Sequence, residues 1–333
     1  MKETMIGIIG GSGYIGSALT EDLSRRFKVR VLDKSPYPRE IKAKRVEHQF
    51  CDIRRYKEVR QGLADVNVVI HTAVVQIPLI NEQKKLGYEV NALGTQNVCK
   101  VVSEAPSIKG MILTGTWHVF GEKKLEGTID EEFGFRPDKV EERAYLYALS
   151  KIAQEIIVRF YDKMSSKIYG IIRLGTVLGE GMPKKTAANI FISEGLKGES
   201  ITPYKHTMHR PMLYVDIKDV CRAFEAYTER ILNGKIKKSK NDTSNVVNLC
   251  WPHPITIIEL ACIVREAIIE LTRGRLRPKV EVIDKKLPIL HTSGDAEKVR
   301  IDMSKLEKLL DIRELENPAE SIRTIIRARI QET

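Results

Sequence analysis

The sequence predicts an α/β protein, a doubly wound parallel sheet with a smaller C-terminal substrate-binding cap. Three observations lead there: short apolar runs alternate with amphipathic stretches, the first run ends in a glycine-rich turn, and the strand pattern thins after Gly175. Repeated βα units of this size argue for a parallel sheet covered by helices on both faces. The 333 residues are 42% hydrophobic and 30% charged, enough for a large core and for two domains or one domain with a cap.

Taken in order, Met5–Gly10 (MIGIIG) reads as the first strand and Tyr14–Arg25 as the helix after it. Val29–Asp33 is the second strand, Val46–Cys51 a weaker third and Asn67–Thr72 the fourth. A helix is expected over about Glu82–Glu104, a fifth strand at Met111–Thr114, a long amphipathic helix at Glu141–Met164 and a strand at Lys167–Leu174. Beyond Gly175 comes the turn cluster Gly179–Pro183, then sparse strands separated by basic loops.

Several function classes are set aside. No apolar run reaches the ~18–20 residues needed to span a bilayer, so no membrane association is expected. Lys2 and the apolar stretch after it do not make a signal peptide, because the stretch breaks into glycines and no small-residue cleavage site follows; a cytoplasmic protein is expected. Cys51, Cys99, Cys221, Cys250 and Cys262 are odd in number and never spaced as CxxC, so neither a disulfide framework nor a metal site is expected. The net charge of +11 raises a nucleic-acid partner, but the basic residues are spread along the chain. The densest cluster, Lys235–Lys240, reads as a solvated loop, and no aromatic-rich motif accompanies it, so an anionic small substrate is the better use of that field.

The first strand runs into Gly10-Gly11-Ser12-Gly13-Tyr14-Ile15-Gly16, a G-x-x-G-x-x-G loop that opens a helix. Glycine is required where the backbone turns tightly and where a pyrophosphate must approach main-chain N–H groups with no Cβ in the way. The third glycine lets helix and sheet pack closely. This is a Rossmann-type dinucleotide site over residues 1–175, with segments at about 212–226 and 246–250 returning to it and 176–333 forming mainly the substrate-binding domain. Asp33, at the end of the second strand, can accept from both adenosine ribose hydroxyls and would repel a 2′-phosphate, favouring NAD over NADP; Lys34 beside it softens that repulsion.

Tyr147 and Lys151 (YALSK) lie one turn apart on the long helix and form the candidate acid/base pair. Lowering a tyrosine from ~10 towards 7 needs ~4 kcal/mol of preferential phenolate stabilisation, which a neighbouring ammonium can help supply. The spacing alone is weak: eleven tyrosines give about one such pair by chance, and Tyr214 with Lys218 is a second. Tyr145 has Leu149 at the same spacing and is a decoy. The fifth strand leads into Thr114-Gly115-Thr116-Trp117-His118, where Thr116 is the best-placed hydroxyl for the reacting oxygen and His118 is either a further acid/base group or a structural histidine.

Together these residues resemble the extended short-chain dehydrogenase/reductase family, in particular its NAD-dependent epimerase/dehydratase branch, over essentially the whole chain. GGSGYIG matches the cofactor loop, and CDIRR is similar to the Asp-Ile pair that contacts adenine, here Asp52 and Ile53. VIHTAVV matches the segment lining the cofactor at Thr72, Ala73 and Val74, and EVNALGTQNV carries the family asparagine at Asn91. LTGTWHVFG matches the strand with the catalytic Ser/Thr, here Thr116, with Thr114 beside the cofactor; YALSK matches the Tyr/Lys pair. IIRLGTVLG resembles the strand leading to nicotinamide and substrate, and HRPMLYVDIKDVCRAF the returning segment whose arginine, here Arg210, grips a substrate diphosphate.

Three departures qualify the match. Trp117-His118 stands where the dehydratases carry Asp-Glu, which disfavours dehydration. Thr176 replaces an asparagine of many epimerases, and the late Arg-x-x-Asp appears as Thr292-Ser293-Gly294-Asp295 without its arginine. The resemblance implies an NAD-dependent nucleotide-sugar 4-epimerase, with His118, Thr176, Arg210 and Asp295 on the substrate. It also implies a homodimer built from the helices around Asn91–Glu104 and Glu141–Met164. A dehydrogenase or reductase of a non-nucleotide alcohol or sugar, and a non-catalytic NAD-binding sensor or scaffold, are the alternatives.

Overall fold

The computed structural model describes residues 3–36, 45–238 and 243–331; Met1, Lys2 and the end of the basic stretch Lys235–Lys240 lie outside the described residues. Seven strands form one sheet in the order Val246–Leu249, Ile168–Leu174, Gly110–Thr116, Val68–His71, Met5–Ile9, Lys28–Asp33, Val46–Phe50. Every neighbouring pair is parallel. This is the doubly wound Rossmann arrangement, and its order reverses between Met5–Ile9 and Val68–His71, where such sheets open a crevice at the carboxyl ends of their strands.

Burial explains which strands read clearly. Val68–His71 and Gly110–Thr116 are buried at every position, as central parallel strands covered on both faces must be. The edge strand Val46–Phe50 has no buried residue, and its sequence is correspondingly polar. One face packs Leu19 and Leu23 of helix Tyr14–Leu23 and Phe224 and Tyr227 of helix Ile217–Leu232 onto Ile6, Ile8 and Val31. The other packs Val98 and Val102 of helix Thr95–Glu104 and Val158 of helix Tyr145–Met164 onto Ile9, Val69 and Met111. A third core joins helices Ala187–Leu196, Ile257–Leu271 and Pro318–Gln331 through Ile192, Leu260, Val264 and Ile325, and reaches Trp117.

Val246–Leu249 pairs with Ile168–Leu174 at the sheet edge. Tyr214–Asp216 pairs instead with Thr176–Leu178 outside the main sheet. The stretch read as one helix over Glu82–Glu104 is broken into Leu79–Glu82, Lys84–Tyr88, a π-turn at Glu89–Gly94 and Thr95–Glu104. Close packing accompanies the break: a Cβ on Gly87 would meet Ile80 at 2.5 Å, and one on Gly94 would meet Ile53 at 2.6 Å. The fifth strand runs two residues beyond the expected Thr114, because Gly115 and Thr116 continue the ladder with Arg173 and Leu174. The long helix begins at Tyr145 rather than Glu141, since Glu142–Ala144 forms a 3₁₀ turn. No described helix is long and apolar enough to cross a membrane, and all five cysteines are free.

Candidate active site

The glycine loop adopts the close-packed geometry that its sequence requires. Gly10 has φ +79°, and a Cβ there would lie 2.5 Å from Ala73 N; a Cβ on Gly16 would lie 2.2 Å from the Gly10 carbonyl. Helix Tyr14–Leu23 starts directly after Gly13, so its first N–H groups emerge where no side chain intervenes. A cavity of about 230 Å³ opens here. Its walls include Gly10, Gly13, Tyr14, Ile15, Gly16, Asp33, Lys34, Asp52, Ile53, Thr72, Ala73 and Val74.

Asp33 accepts from the N–H groups of Ser12 at 3.1 Å and Ser35 at 2.9 Å, which fixes its carboxylate at the rim. The Arg54 guanidinium caps Asp52 and holds its carboxyl below the usual carboxylate range. The Thr72 hydroxyl lies 2.9 Å from the Ile9 carbonyl and 3.0 Å from that of Gly10, tying the fourth strand to the loop. Asn91 lines neither cavity. Its side chain accepts from Val75 N at 2.7 Å and donates to Val75 O at 3.1 Å, so it fixes the backbone of a residue that lines the first cavity.

A larger cavity, about 600 Å³, continues from the first, and Tyr14, Ile15, Thr72, Val74, Gln76 and Pro183 line both. Thr114, Thr116, His118, Tyr147, Lys151, Thr176 and Arg210 lie on its wall. Burial pushes the Tyr147 phenol up to about 12, against a hydrogen bond with Thr116 that pulls it down. Burial lowers Lys151 to about 7, with Glu155 opposing. The Lys151 ammonium donates to the Thr114 carbonyl at 2.6 Å and to Gln154 Oε1 at 2.7 Å. These contacts do not bear out the expectation that Lys151 depresses Tyr147: the largest influence on the phenol is burial, which acts in the other direction. Trp117 Nε1 donates to Thr176 Oγ1 at 3.4 Å.

Two substrate residues implied by the resemblance sit differently from expectation. Arg210 lies on the wall, but its Nε and Nη2 both donate to the Glu141 carboxylate. A phosphate would have to compete with that buried carboxylate for it. Burial pushes Glu141 up, but the His291 hydrogen bond and the Arg210 and Arg143 charges outweigh it and hold the carboxyl at about 2. Asp295 lines neither cavity and closes its own turn, accepting from Thr292 N at 2.8 Å and Lys298 Nζ at 3.0 Å. The second Tyr/Lys pair is split between strand Tyr214–Asp216 and the first turn of helix Ile217–Leu232.

Sequence reading missed a buried polar chain behind Lys151. Gln154 Nε2 donates to Thr95 Oγ1 at 2.8 Å, and Thr95 Oγ1 lies 2.9 Å from His71 Nε2. Glu141 and Glu122 were missed as well. A signal existed for Gln154, a polar residue three positions after Lys151 on the buried face of the helix. Among the described residues, no group of three or more His, Cys, Asp or Glu gathers as a metal site.

The model of the NAD dependent epimerase/dehydratase family matches residues 6–242. The chain belongs to this family. By its description, the family is one of NAD-dependent epimerases and dehydratases. A Methanocaldococcus jannaschii protein named provisionally as a UDP-glucose 4-epimerase is 30% identical over 205 residues, covering 59% of this chain and 64% of that protein. UDP-glucuronic acid decarboxylase 6 of Arabidopsis thaliana is 22% identical over 311 residues, covering 91% and 82%. The likeness of fold reaches further: Thermus thermophilus UDP-glucose 4-epimerase in complex with NAD superposes with a TM-score of 0.72 at 23% identity, covering 98% of this chain and 99% of that one. The chain spans 41% and 64% of the length of the curated relatives it matches from Sinorhizobium fredii and M. jannaschii.

Proposed function

We propose that this family member is a nucleotide-sugar 4-epimerase working through a transient 4-keto sugar. The observation that carries the reading is the placement of Thr116, Tyr147 and Lys151 on one cavity wall, where the glycine-loop cavity opens into a chamber large enough for a sugar. When bound, NAD supplies the hydride acceptor and then the hydride donor. Tyr147 takes the proton of the C4 hydroxyl, and Thr116 hydrogen-bonds the same oxygen and holds it beside the phenol. Lys151, fixed by Thr114 and Gln154, is poised to bind the nicotinamide ribose hydroxyls. The chamber leaves the keto sugar room to turn and present its other face. Absence of the Asp-Glu pair after Thr116 speaks against water elimination. The test is UDP-glucose with the purified protein and NAD: UDP-galactose should appear without net NADH, and Tyr147→Phe should abolish it.

A second reading is favoured by one observation, the capture of Arg210 by Glu141 together with the placement of Asp295 outside the chamber. It is net dehydrogenation of an alcohol that lacks a diphosphate. Net NADH formation with such an alcohol, and no sugar interconversion, would select it.

We also propose a homodimer. Tyr88, Leu93, Ile156, Phe160 and Met164 are exposed on the segments before helix Thr95–Glu104 and along helix Tyr145–Met164, an apolar surface that a second copy would bury. Light scattering of Phe160→Glu should report a monomer where the unaltered protein is a dimer.

A further inference from the structure

We propose that Thr116, His118 and Glu122 form a proton relay behind Tyr147, in which Glu122 holds the substrate's proton while the sugar is oxidised and then returns it. The proposal rests on the hydride-transfer reading for its substrate end, and on contacts in the chamber wall for its path. Thr116 and Tyr147 share the chamber wall, and the Thr116 hydroxyl draws the phenol down against burial. Thr116 Oγ1 lies 3.1 Å from His118 Nδ1, and the imidazole meets the Tyr147 ring edge-on with centroids 5.6 Å apart. On its far side, His118 Nε2 is 3.6 Å from Glu122 Oε1. A shift of about half an ångström brings that pair into hydrogen-bond range.

Glu122 is the unusual member. It is fully buried; its Oε2 accepts from Glu141 N at 3.2 Å, while Oε1 has no hydrogen-bond partner. A buried carboxylate oxygen without a donor is costly and calls for a reason. Proton acceptance supplies one. The groups facing it are His118, Arg143 with Nη2 at 3.9 Å, and Glu141, itself held by Arg210 and His291.

The relay keeps every intermediate neutral apart from its terminus. As C4 gives up its hydride to bound NAD, the hydroxyl proton passes to the Tyr147 oxygen and the phenol's own proton to Thr116 Oγ1. The Thr116 proton passes to His118 Nδ1, and the Nε2 proton to Glu122 Oε1. One proton leaves the sugar and one arrives on Glu122; Tyr147, Thr116 and the imidazole are neutral before and after. Return of the hydride to the other face runs the chain backwards. Two tendencies agree with this path. Burial, with the Arg143 and Arg210 charges, lowers His118 to about 3 against Glu141, so it serves by exchanging tautomers rather than as an imidazolium. Burial also raises Glu122, making its carboxylate a better proton acceptor. Because Glu122 is sealed from solvent, the proton is stored and handed back, as epimerisation requires and net oxidation does not.

The experiment compares the unaltered protein with Glu122→Gln, which still accepts from Glu141 N but cannot take a proton. With UDP-glucose and NAD, kcat should fall about 100-fold, within the range for general acid–base groups, with KM and NAD affinity within about threefold. The dependence of kcat on deuterium content should change from curved, several protons moving, to linear. Independently of any substrate, ¹⁵N NMR of His118, assigned with His118→Gln, should show a neutral Nε2–H tautomer between pH 6 and pH 9. Unchanged kcat and curvature in Glu122→Gln, an Nδ1–H tautomer, or an imidazolium each overturns the relay. If Tyr147→Phe is inactive while Glu122→Gln is fully active, the relay fails and the epimerase reading stands. If no sugar is interconverted at all, that reading fails and the tautomer alone decides the relay.

Discussion

Replacing Lys151 by methionine should change how the protein's stability responds to pH. Lys151 is 4% exposed, with its ammonium held by Thr114 O at 2.6 Å and Gln154 Oε1 at 2.7 Å. Burial moves its pKa from 10.5 to about 7. At 1.36 kcal/mol per unit, the charged form is disfavoured on folding by roughly 5 kcal/mol. The folded pKa lies below the unfolded one, so from about pH 7 to pH 10.5 the folded protein binds fewer protons, and stability rises with pH there. Below pH 7 the full cost applies. Between pH 6 and pH 9 the relief amounts to about 3 kcal/mol. Lys151→Met lacks this group but shares the other titrations, so the stability difference between the two proteins should move by that amount. The unpaired Thr114 and Gln154 oxygens cost about 1–3 kcal/mol each, independently of pH. Urea unfolding followed by the fluorescence of Trp117 and Trp251 at four pH values measures the difference. Parallel stability curves for the two proteins would refute the reasoning, because they would mean that Lys151 titrates alike in both states.

Three further outcomes follow from named contacts. Gly16→Ala places a Cβ 2.2 Å from the Gly10 carbonyl and must displace the loop, so NAD affinity in calorimetry should fall at least about tenfold, about 1.4 kcal/mol; unchanged affinity would show that the loop yields freely. Asp33→Asn removes the rim carboxylate, and the preference for NAD over NADP should drop about tenfold in paired titrations; a constant ratio would assign that choice to another residue. Arg173→Met strips the guanidinium from a pair in which Arg173 and Glu155 are each 1% exposed, and urea unfolding at pH 7 should show a loss of about 3–5 kcal/mol. A loss below about 1 kcal/mol would mean that Arg159, also bonded to Glu155, carries the charge alone.

Much of the nucleotide end was legible because it is written in local rules. A glycine loop between strand and helix, and an acid at the end of the next strand, specify backbone shape and charge within a few residues. The substrate end was not. Arg210 reads, by resemblance, as a grip for a substrate diphosphate, and only folding brings it to Glu141, 69 residues away. Asp295 reads as a ligand and instead closes a turn with Thr292. The helix expected over Glu82–Glu104 breaks at a π-turn that places Asn91 on the Val75 backbone, a contact no periodicity encodes.

By itself, then, the sequence determined the doubly wound sheet, the glycine cradle with Asp33, and the placement of Tyr147 and Lys151 one turn apart, since each depends on backbone preference or helical repeat. Tertiary structure alone decided the protonation tendencies and the pairings: Tyr147 raised, Lys151 lowered, Arg210 occupied, and Glu122 left with an unpartnered oxygen behind His118. The physical reason is that burial and the approach of distant charges set these properties, and neither exists until the layers have closed.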